Sequence, residues 1–570
     1  MMHYTVQIVA PHTHELVVEV RAASPAPATV FHIPAWTPGS YVLREFARFL
    51  GEPWANDGQG RTLPVTKTAK GSWSVDTRDA SEVVIGYTVF AHELTVRTPH
   101  VDGTHAFFNG TNALVFFEGR LHEPSRLTVH APKGWDVHCP LPKEGGAYVA
   151  SDYDVLADAI VEAGPHTTHS FEALGATHDM VFWGDDAVDI DFEKLAADTR
   201  ALVEANAAVF DGVLPYEHYL FVFHITESGR GGLEHLNGTA LATPWRYFDT
   251  EEGYREMLGL ISHEHFHTWN IKRIRPLALG PFDYLTENHT QALWIAEGVT
   301  SYVDNLNCLR AGVVEQSHYL GWLKNDFERL ARIPGRFGQT VAQSSYDAWI
   351  RLYSPDQNSP NRTVSYYLRG AMIAMGLDLT IRQETKGVRS LTDVLRALWA
   401  HCNETGRGFS DEELPGLFSE ATGVDCGPML NTWVYSTVEP PLEALLLSHG
   451  VALTPVDSEH PTFGWNTSAR AGAIVVDAVL SDGPNAGGNV YAGDRLVALD
   501  HREVTATNWE DHAKRLSSGQ SVRVHLMRRG RLIEAPVSVA TRPAATYTCE
   551  LVEAPSAEQA ELRDAWWSQP

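Results

Sequence analysis

The chain has 570 residues, too many for a single hydrophobic core, which points to about three or four domains. Hydrophobic residues make up 44% of it, with 16 Trp and 22 Phe, which excludes wholesale disorder. A net charge of −27 argues against nucleic acid as a partner, because phosphate binding draws on Lys and Arg.

The opening stretch Met1 to Val9 lacks a basic region followed by a sustained apolar one, and no stretch reaches ~18 uninterrupted apolar residues. Cys139, Cys308, Cys402, Cys426 and Cys549 are an odd number, widely scattered and without a CxxC pair. That suits a reducing compartment better than a disulfide framework. A soluble, cytoplasmic chain with no membrane association is therefore expected.

Residues 1–170 read as an all-β sandwich domain, with short runs such as Tyr4 to Val9, Leu16 to Val20 and Glu82 to Val89 separated by Pro, Gly and Asp clusters. Ala35 to Tyr41 and Phe107 to Thr111 are turn signals carrying aromatics, for which packing is the simpler reading. His166 and His169 form an HxxH in a polar stretch with no acidic or Cys partner apparent nearby, so a surface loop is expected there.

Residues 171–453 are expected to be mostly helical, beginning with the stripe Phe192, Leu195, Thr199, Leu202 and Val203. An apolar run from Tyr219 to Phe223 reads as a strand and is followed by Gly229-Arg230-Gly231-Gly232-Leu233-Glu234-His235. Glycines beside a strand let a substrate backbone approach closely, and a carboxylate there can bind a free α-amino group. Next, Asp249 or Thr250 can cap a helix with Glu251 and Glu252 in its first turn and Tyr254, Met257, Leu258 and Ile261 as its apolar stripe. That helix carries His263-Glu264-His265-Phe266-His267, an HExxH string. Positions i and i+4 share a helix face, so His263 and His267 can converge on one cation with Glu264 beside them. A catalytic zinc needs a third protein ligand and an open position. Glu297 is the candidate, on a second amphipathic helix from about Thr290 to Arg310. A further helix opens at Val364-Ser365-Tyr366-Tyr367-Leu368-Arg369-Gly370, and others are expected near 387–402 and 410–421.

HExxHxW followed by LWxxEGxxxY resembles the layout of the gluzincin metallopeptidases, the clan of thermolysin and aminopeptidase N. The string HEHFHTWNIKRIRP at 263–276 resembles the glycyl aminopeptidase family in particular. The gap between His267 and Glu297 is longer than in thermolysin, which is itself similar to the glycyl aminopeptidases. The resemblance implies a thermolysin-like catalytic domain and one Zn²⁺ per chain on His263, His267 and Glu297, with Glu264 as general base. It also implies that Glu234, with Gly231 and Gly232, anchors the substrate N-terminus. By the same resemblance Tyr367 would be the oxyanion donor, with Tyr366 the fallback; Arg369 stands where a Lys is common. A preference for Gly or Ala is inherited from the family.

Thr454 to Pro461 reads as a linker, and 454–545 as a PDZ-like β domain with strands at Gly472 to Leu480, Asp494 to Asp500 and Ser521 to Arg528 and a helix at Asn508 to Leu516. Ala492 to Asp500 resembles the central PDZ motif, which makes a peptide ligand a possible partner. The tail 546–570 is expected to be a surface helix or a frayed end. A multidomain α+β zinc aminopeptidase acting on peptides with free N-termini is the leading reading. A zinc hydrolase of esters or epoxides, and a PDZ-bearing scaffold with an inert peptidase-like domain, are the alternatives. Oligomeric state is not legible.

Overall fold

The computed structural model describes residues 1–456, 461–541 and 546–568. Residues 457–460 of the expected linker, and the end of the expected PDZ-like segment at 542–545, lie outside the described residues.

The N-terminal region is β-rich. Met2–Gln7, Glu15–Ala23, Glu82–Phe90 and Ser125–His130 are the long members of an eight-stranded sheet, in which Met2–Gln7 pairs antiparallel with Glu15–Ala23 and parallel with Ser125–His130. Strict alternation in Glu15–Ala23 puts Leu16, Val18, Val20 and Ala22 inside and leaves Glu15, Val17, Glu19 and Arg21 outside, as one-sided burial of an antiparallel strand requires. A five-stranded sheet and a four-stranded sheet close the same core with Phe31, Trp73, Phe108 and Phe116.

The catalytic region departs from the expected helical run at its start. A mixed five-stranded sheet comes first, in the order Thr167–Ala173, Ala176–Trp183, His218–Thr226, Gly238–Pro244, Gly231–His235. Its first strand spans position 170. One face, with Val181, Leu220, Val222, Leu233 and Ala240, packs on Val96, Phe107 and Ile160 of the N-terminal region. Burial on both faces explains why His218–Thr226 reads as a continuous apolar run rather than an alternating one. Helices then dominate: Phe192–Ala208, Glu251–Phe266, Thr300–Arg310, Tyr366–Glu384, Leu391–Thr405 and Leu414–Thr422. The segment expected as one helix from 290 opens as a π-helical turn, Trp294–Val299, before becoming α-helical.

Beyond it, the six-stranded sheet that includes Trp465–Arg470, Ala473–Val479, Arg495–Leu499, Ser521–Arg528 and Arg531–Ser538 has its own core around Val476, Leu496, Val524 and Val537. The chain then returns. Tyr547–Leu551 pairs with Val451–Pro455, and helix Ala557–Ser568 docks on the catalytic core. Of the two expectations for the tail, a helix or a frayed end, 557–568 forms the helix, and it is docked: Trp566 is fully buried, its indole Nε1 donates to Tyr302 Oη at 2.8 Å, and its backbone carbonyl accepts from Arg310 at 2.9 Å. Among the described residues no helix is long and apolar enough to cross a membrane, and all five cysteines are unpaired. Trp566→Ala is expected to lower unfolding stability by about 3–5 kcal/mol, read by thermal and denaturant melts. Deleting 557–568 without a fall in melting temperature is the outcome that contradicts this docking.

Candidate metal centre

Helix Glu251–Phe266 starts where Thr250 Oγ1 accepts from Gly253 N at 3.0 Å, with Glu251 and Glu252 in its first turn. Its rotation is set by a buried polar set: Asn206 Nδ2 donates to Ser262 O at 3.0 Å, and His265 lies 2.7 Å from Tyr216 Oη through Nε2. His265, fully buried, is thus turned away, and its pKa is held well below the usual imidazole value by burial. His263 and Glu264 are left on the opposite side, and His267 follows as the C-cap residue.

The outer nitrogens of both motif histidines are anchored. His263 Nδ1 lies 2.8 Å from Asp304 Oδ2, and His267 Nδ1 lies 2.6 Å from Asn270 O. Acceptors at these positions require N–H on Nδ1 and leave the lone pair on Nε2. The two Nε2 atoms then face Glu297 Oε2, at 3.5 Å and 3.2 Å. Ligand atoms of His263, His267 and Glu297 all lie within 4.8 Å of one another. Glu297 Oε2 is buried without a hydrogen bond, as are Glu264 Oε2 and Glu234 Oε1. Burial lowers the His263 pKa, but Asp304 and Glu297 raise it further, to well above the ordinary value. Carboxylates that draw a proton to that point draw a divalent cation equally. Two imidazole lone pairs and one carboxylate with room beside them are the donor set of a catalytic zinc, so the residues fit that ion.

Asn270 couples the two ligand-bearing segments: its side-chain amide donates to Ile295 O at 2.8 Å and to Thr300 Oγ1 at 3.1 Å, across the π-helical turn. Helix Tyr366–Glu384 crosses that turn with almost no clearance. A Cβ on Gly298 would sit 2.5 Å from Gly370 Cα, so both positions need glycine. The crossing brings the ring of half-buried Tyr367 to 6.4 Å from the His263 ring, and its Oη lies 3.0 Å from Tyr353 Oη. Tyr366 is fully buried in the core, its hydroxyl donating to Tyr353 at 3.4 Å. Arg369 is buried and caps loop carbonyls, donating to Arg336 O at 2.5 Å and Ser436 O at 3.2 Å.

Alternation along Gly231–His235 sends Leu233 into the interdomain core and presents Gly232 and Glu234 to the site. Gly231, at φ +127°, occupies a conformation that side chains rarely adopt, and a Cβ on Gly232 would lie 2.3 Å from Glu264 Cδ. Burial, together with Glu234 and Glu297, raises the Glu264 pKa against the pull of His263 and His267. A cavity of about 800 Å³ is lined by Glu234, Glu264, His263, His267, Glu297 and Tyr367.

Several residues of this site were not singled out from the sequence. Gly39 and Tyr41 belong to the Ala35 to Tyr41 turn for which packing was expected. A Cβ on Gly39 would lie 2.5 Å from Glu234 Oε1, and Tyr41 lines the adjoining pocket, so this N-terminal loop is part of the site. Arg97, at a hairpin turn of the N-terminal region, donates to Gly232 O at 3.1 Å. Asp304 carried one signal, its position seven residues after Glu297 on the same helix face. The HxxH expectation is corrected. His166 turns inward, its side chain 1% exposed, and Nε2 lies 2.8 Å from Glu162 Oε1, the acidic partner four residues earlier that the polar context masked.

Two family models match the chain: Peptidase M61 N-terminal domain over residues 3–165, and M61 glycyl aminopeptidase over 256–373. An aminopeptidase N family protein from Idiomarina loihiensis of known structure is 29% identical, covers 99% of this chain and all of its own, and superposes with a TM-score of 0.93. An M1 zinc metallopeptidase from Deinococcus radiodurans is 15% identical over 77% of this chain and 94% of its own, with a TM-score of 0.49. Beta-galactosidase BgaA of Clostridium cellulovorans is 26% identical over 146 residues, 24% of this chain, and the match spans only 21% of that protein. The chain thus carries a Peptidase M61 N-terminal domain and an M61 glycyl aminopeptidase domain, those of a zinc metallo-aminopeptidase.

Proposed function

We propose that the protein removes one N-terminal residue at a time, Gly or Ala by family expectation, from peptides with a free N-terminus. The observation that carries this reading is the convergence of three buried carboxylates, Glu234, Glu264 and Glu297, each with an oxygen lacking a hydrogen bond, beside two imidazoles whose lone pairs are aimed by Asp304 and Asn270. Buried carboxylates without partners are costly and call for cations. An aminopeptidase complex supplies two, a metal ion and the substrate ammonium.

His263 Nε2, His267 Nε2 and Glu297 would hold one Zn²⁺, which would supply Lewis-acid chemistry to the scissile carbonyl and to water. Glu264, its pKa raised by burial, takes the proton of the attacking water and returns it to the leaving amine. Tyr367 Oη donates to the oxyanion as the carbonyl becomes tetrahedral. Glu234 holds the α-ammonium, so that only the first peptide bond reaches the reacting centre. Gly231 and Gly232 admit the substrate backbone at the strand edge, and Gly39 keeps the space that the Glu234 carboxylate occupies. Lys272 lines the adjoining pocket, but its ammonium is paired with Asp158 at 2.7 Å and leaves Glu234 for substrate. That open carboxylate favours an amine-bearing substrate over an ester or an epoxide. The C-terminal β domain is read as a PDZ-like module for extended peptides; its outermost strand, Trp465–Arg470, leaves an edge for strand addition.

Glu264→Gln is expected to keep the metal and lose about 10²- to 10⁴-fold in kcat, read by metal analysis beside peptide turnover. Full activity in that variant overturns the mechanism. On Gly- and Ala-initiated peptides, N-acetylation is expected to abolish cleavage. Glu234→Gln is expected to raise KM for free peptides far more than it lowers metal content, whereas equal rates on free and blocked peptides exclude Glu234 as the anchor. Tyr367→Phe is expected to cost about 10²- to 10³-fold in kcat with metal retained. Tyr366→Phe should leave kcat within a few-fold, and the reverse ranking would move the oxyanion role to Tyr366.

A further inference from the structure

A second constellation of metal-type donors lies in the N-terminal region, far along the chain from the HExxH helix. The sequence His100-Val101-Asp102-Gly103-Thr104-His105 spans the turn between strands Thr98–Val101 and Ala106–Asn109, which pair antiparallel through His100 and Phe107. His105 is fully buried and His100 is 7% exposed. Each ring has its Nδ1 anchored: His105 Nδ1 lies 2.8 Å from Glu162 Oε1, and His100 Nδ1 lies 3.1 Å from His92 O. As at His263 and His267, such acceptors require N–H on Nδ1 and leave a lone pair on Nε2. Both Nε2 atoms are buried and have no hydrogen-bond partner.

Asp102 supplies the third donor. Its Oδ1 accepts from Thr104 N at 2.7 Å, Thr104 Oγ1 at 2.6 Å and His105 N at 3.2 Å, while Oδ2 lies 3.4 Å from His100 Nε2. Donor atoms of His100, Asp102 and His105 all lie within 4.8 Å of one another. The two rings are 4.8 Å apart, against 4.6 Å for His263 and His267. Tetrahedral zinc with bonds of about 2.0–2.1 Å separates its ligand atoms by roughly 3.3–3.4 Å, the separation of His100 Nε2 and Asp102 Oδ2 at 3.4 Å. Asp102 is 31% exposed, so the set borders solvent on that side.

We propose that His100, Asp102 and His105 form a second divalent-cation site of zinc type, giving two ions per chain rather than one. Behind it, Glu162 is fully buried and joins the site to the catalytic region: its Oε2 lies 2.9 Å from His224 Nε2, on strand His218–Thr226. Ahead of it, strand Thr98–Val101 follows the turn bearing Arg97, which donates to Gly232 O in the catalytic cavity. A cation here ties the N-terminal hairpin to the sheet that carries the Gly-rich strand. The inference stands independently of the proposed peptidase mechanism.

The test is calorimetric titration of the full chain, stripped with chelator, using Zn²⁺ alone. Wild type is expected to take two ions, and His100→Asn or Asp102→Asn one. His263→Ala/His267→Ala, which lacks the first pair, is expected to take one, and its melting temperature should rise with Zn²⁺. Adding Asp102→Asn to it should abolish that rise. Asp102 is partly exposed, so its variant tests the site even if the His100 variant fails to fold. No ion taken up by His263→Ala/His267→Ala, or an ion count unchanged from wild type in both Asp102→Asn and His100→Asn, overturns the proposal, whatever the peptide assays show.

Discussion

The chemistry of the catalytic cavity follows from buried carboxylates that each keep an oxygen without a hydrogen bond. Glu234, Glu264 and Glu297 are 3%, 5% and 2% exposed, and each has an oxygen without a hydrogen bond. Three like charges cannot stay ionised together in a low-dielectric site, so something must give way. In the free cavity it is Glu264, whose pKa is pushed up by burial and by the other two, while burial opposes and His267 and His263 together pull Glu297 down. A divalent ion and an ammonium neutralise the set together. The site is thus least strained when metal and a free N-terminus are both present, which links affinity for substrate to the same charges that prepare the base.

Holding those charges together takes both halves of the chain. Glu234 faces the metal centre only because Leu233, its neighbour on the strand, is buried in the core shared with Val96, Phe107 and Ile160. Its carboxylate occupies space that Gly39 leaves open from the N-terminal side, and Trp36, fully buried among catalytic-region side chains, fixes that loop. The glycine pair Gly298 and Gly370 does the same work on the other wall, where two helices must approach to backbone contact before Tyr367 can reach the cavity. Function in this fold therefore resides at seams between elements rather than in a single one.

What could be read from the sequence was what local spacing encodes. HExxH at i and i+4, the Thr250 cap and the apolar stripe at Met257, Leu258 and Ile261 all lie within one helix, so periodicity exposes them. Glu297 was visible through its apolar neighbours, but the π-helical turn that carries it was not, because a one-residue change of period cannot be seen in six residues. Contacts between distant segments stayed hidden: Gly39 with Glu234, Arg97 with Gly232, and His166 with a Glu162 that sits inside a strand. Trp566 and Trp567 read as a tail because nothing local shows that Tyr302 and Arg310 await them.

The two histidine pairs show why similar donors lead to different roles. At His263 and His267 an unpaired carboxylate, Glu264, stands beside the metal position and a cavity of about 800 Å³ opens on it. At His100 and His105 the one carboxylate beside the proposed ligands, Glu162, is already engaged by three imidazoles at 2.8–2.9 Å. Trp183 stacks on His105 at 4.2 Å and covers one face of that ring. With no free base beside it, an ion there would fix structure rather than turn over substrate. The geometry it would fix, hairpin against sheet, is the one on which the placement of Arg97 and the Gly-rich strand depends.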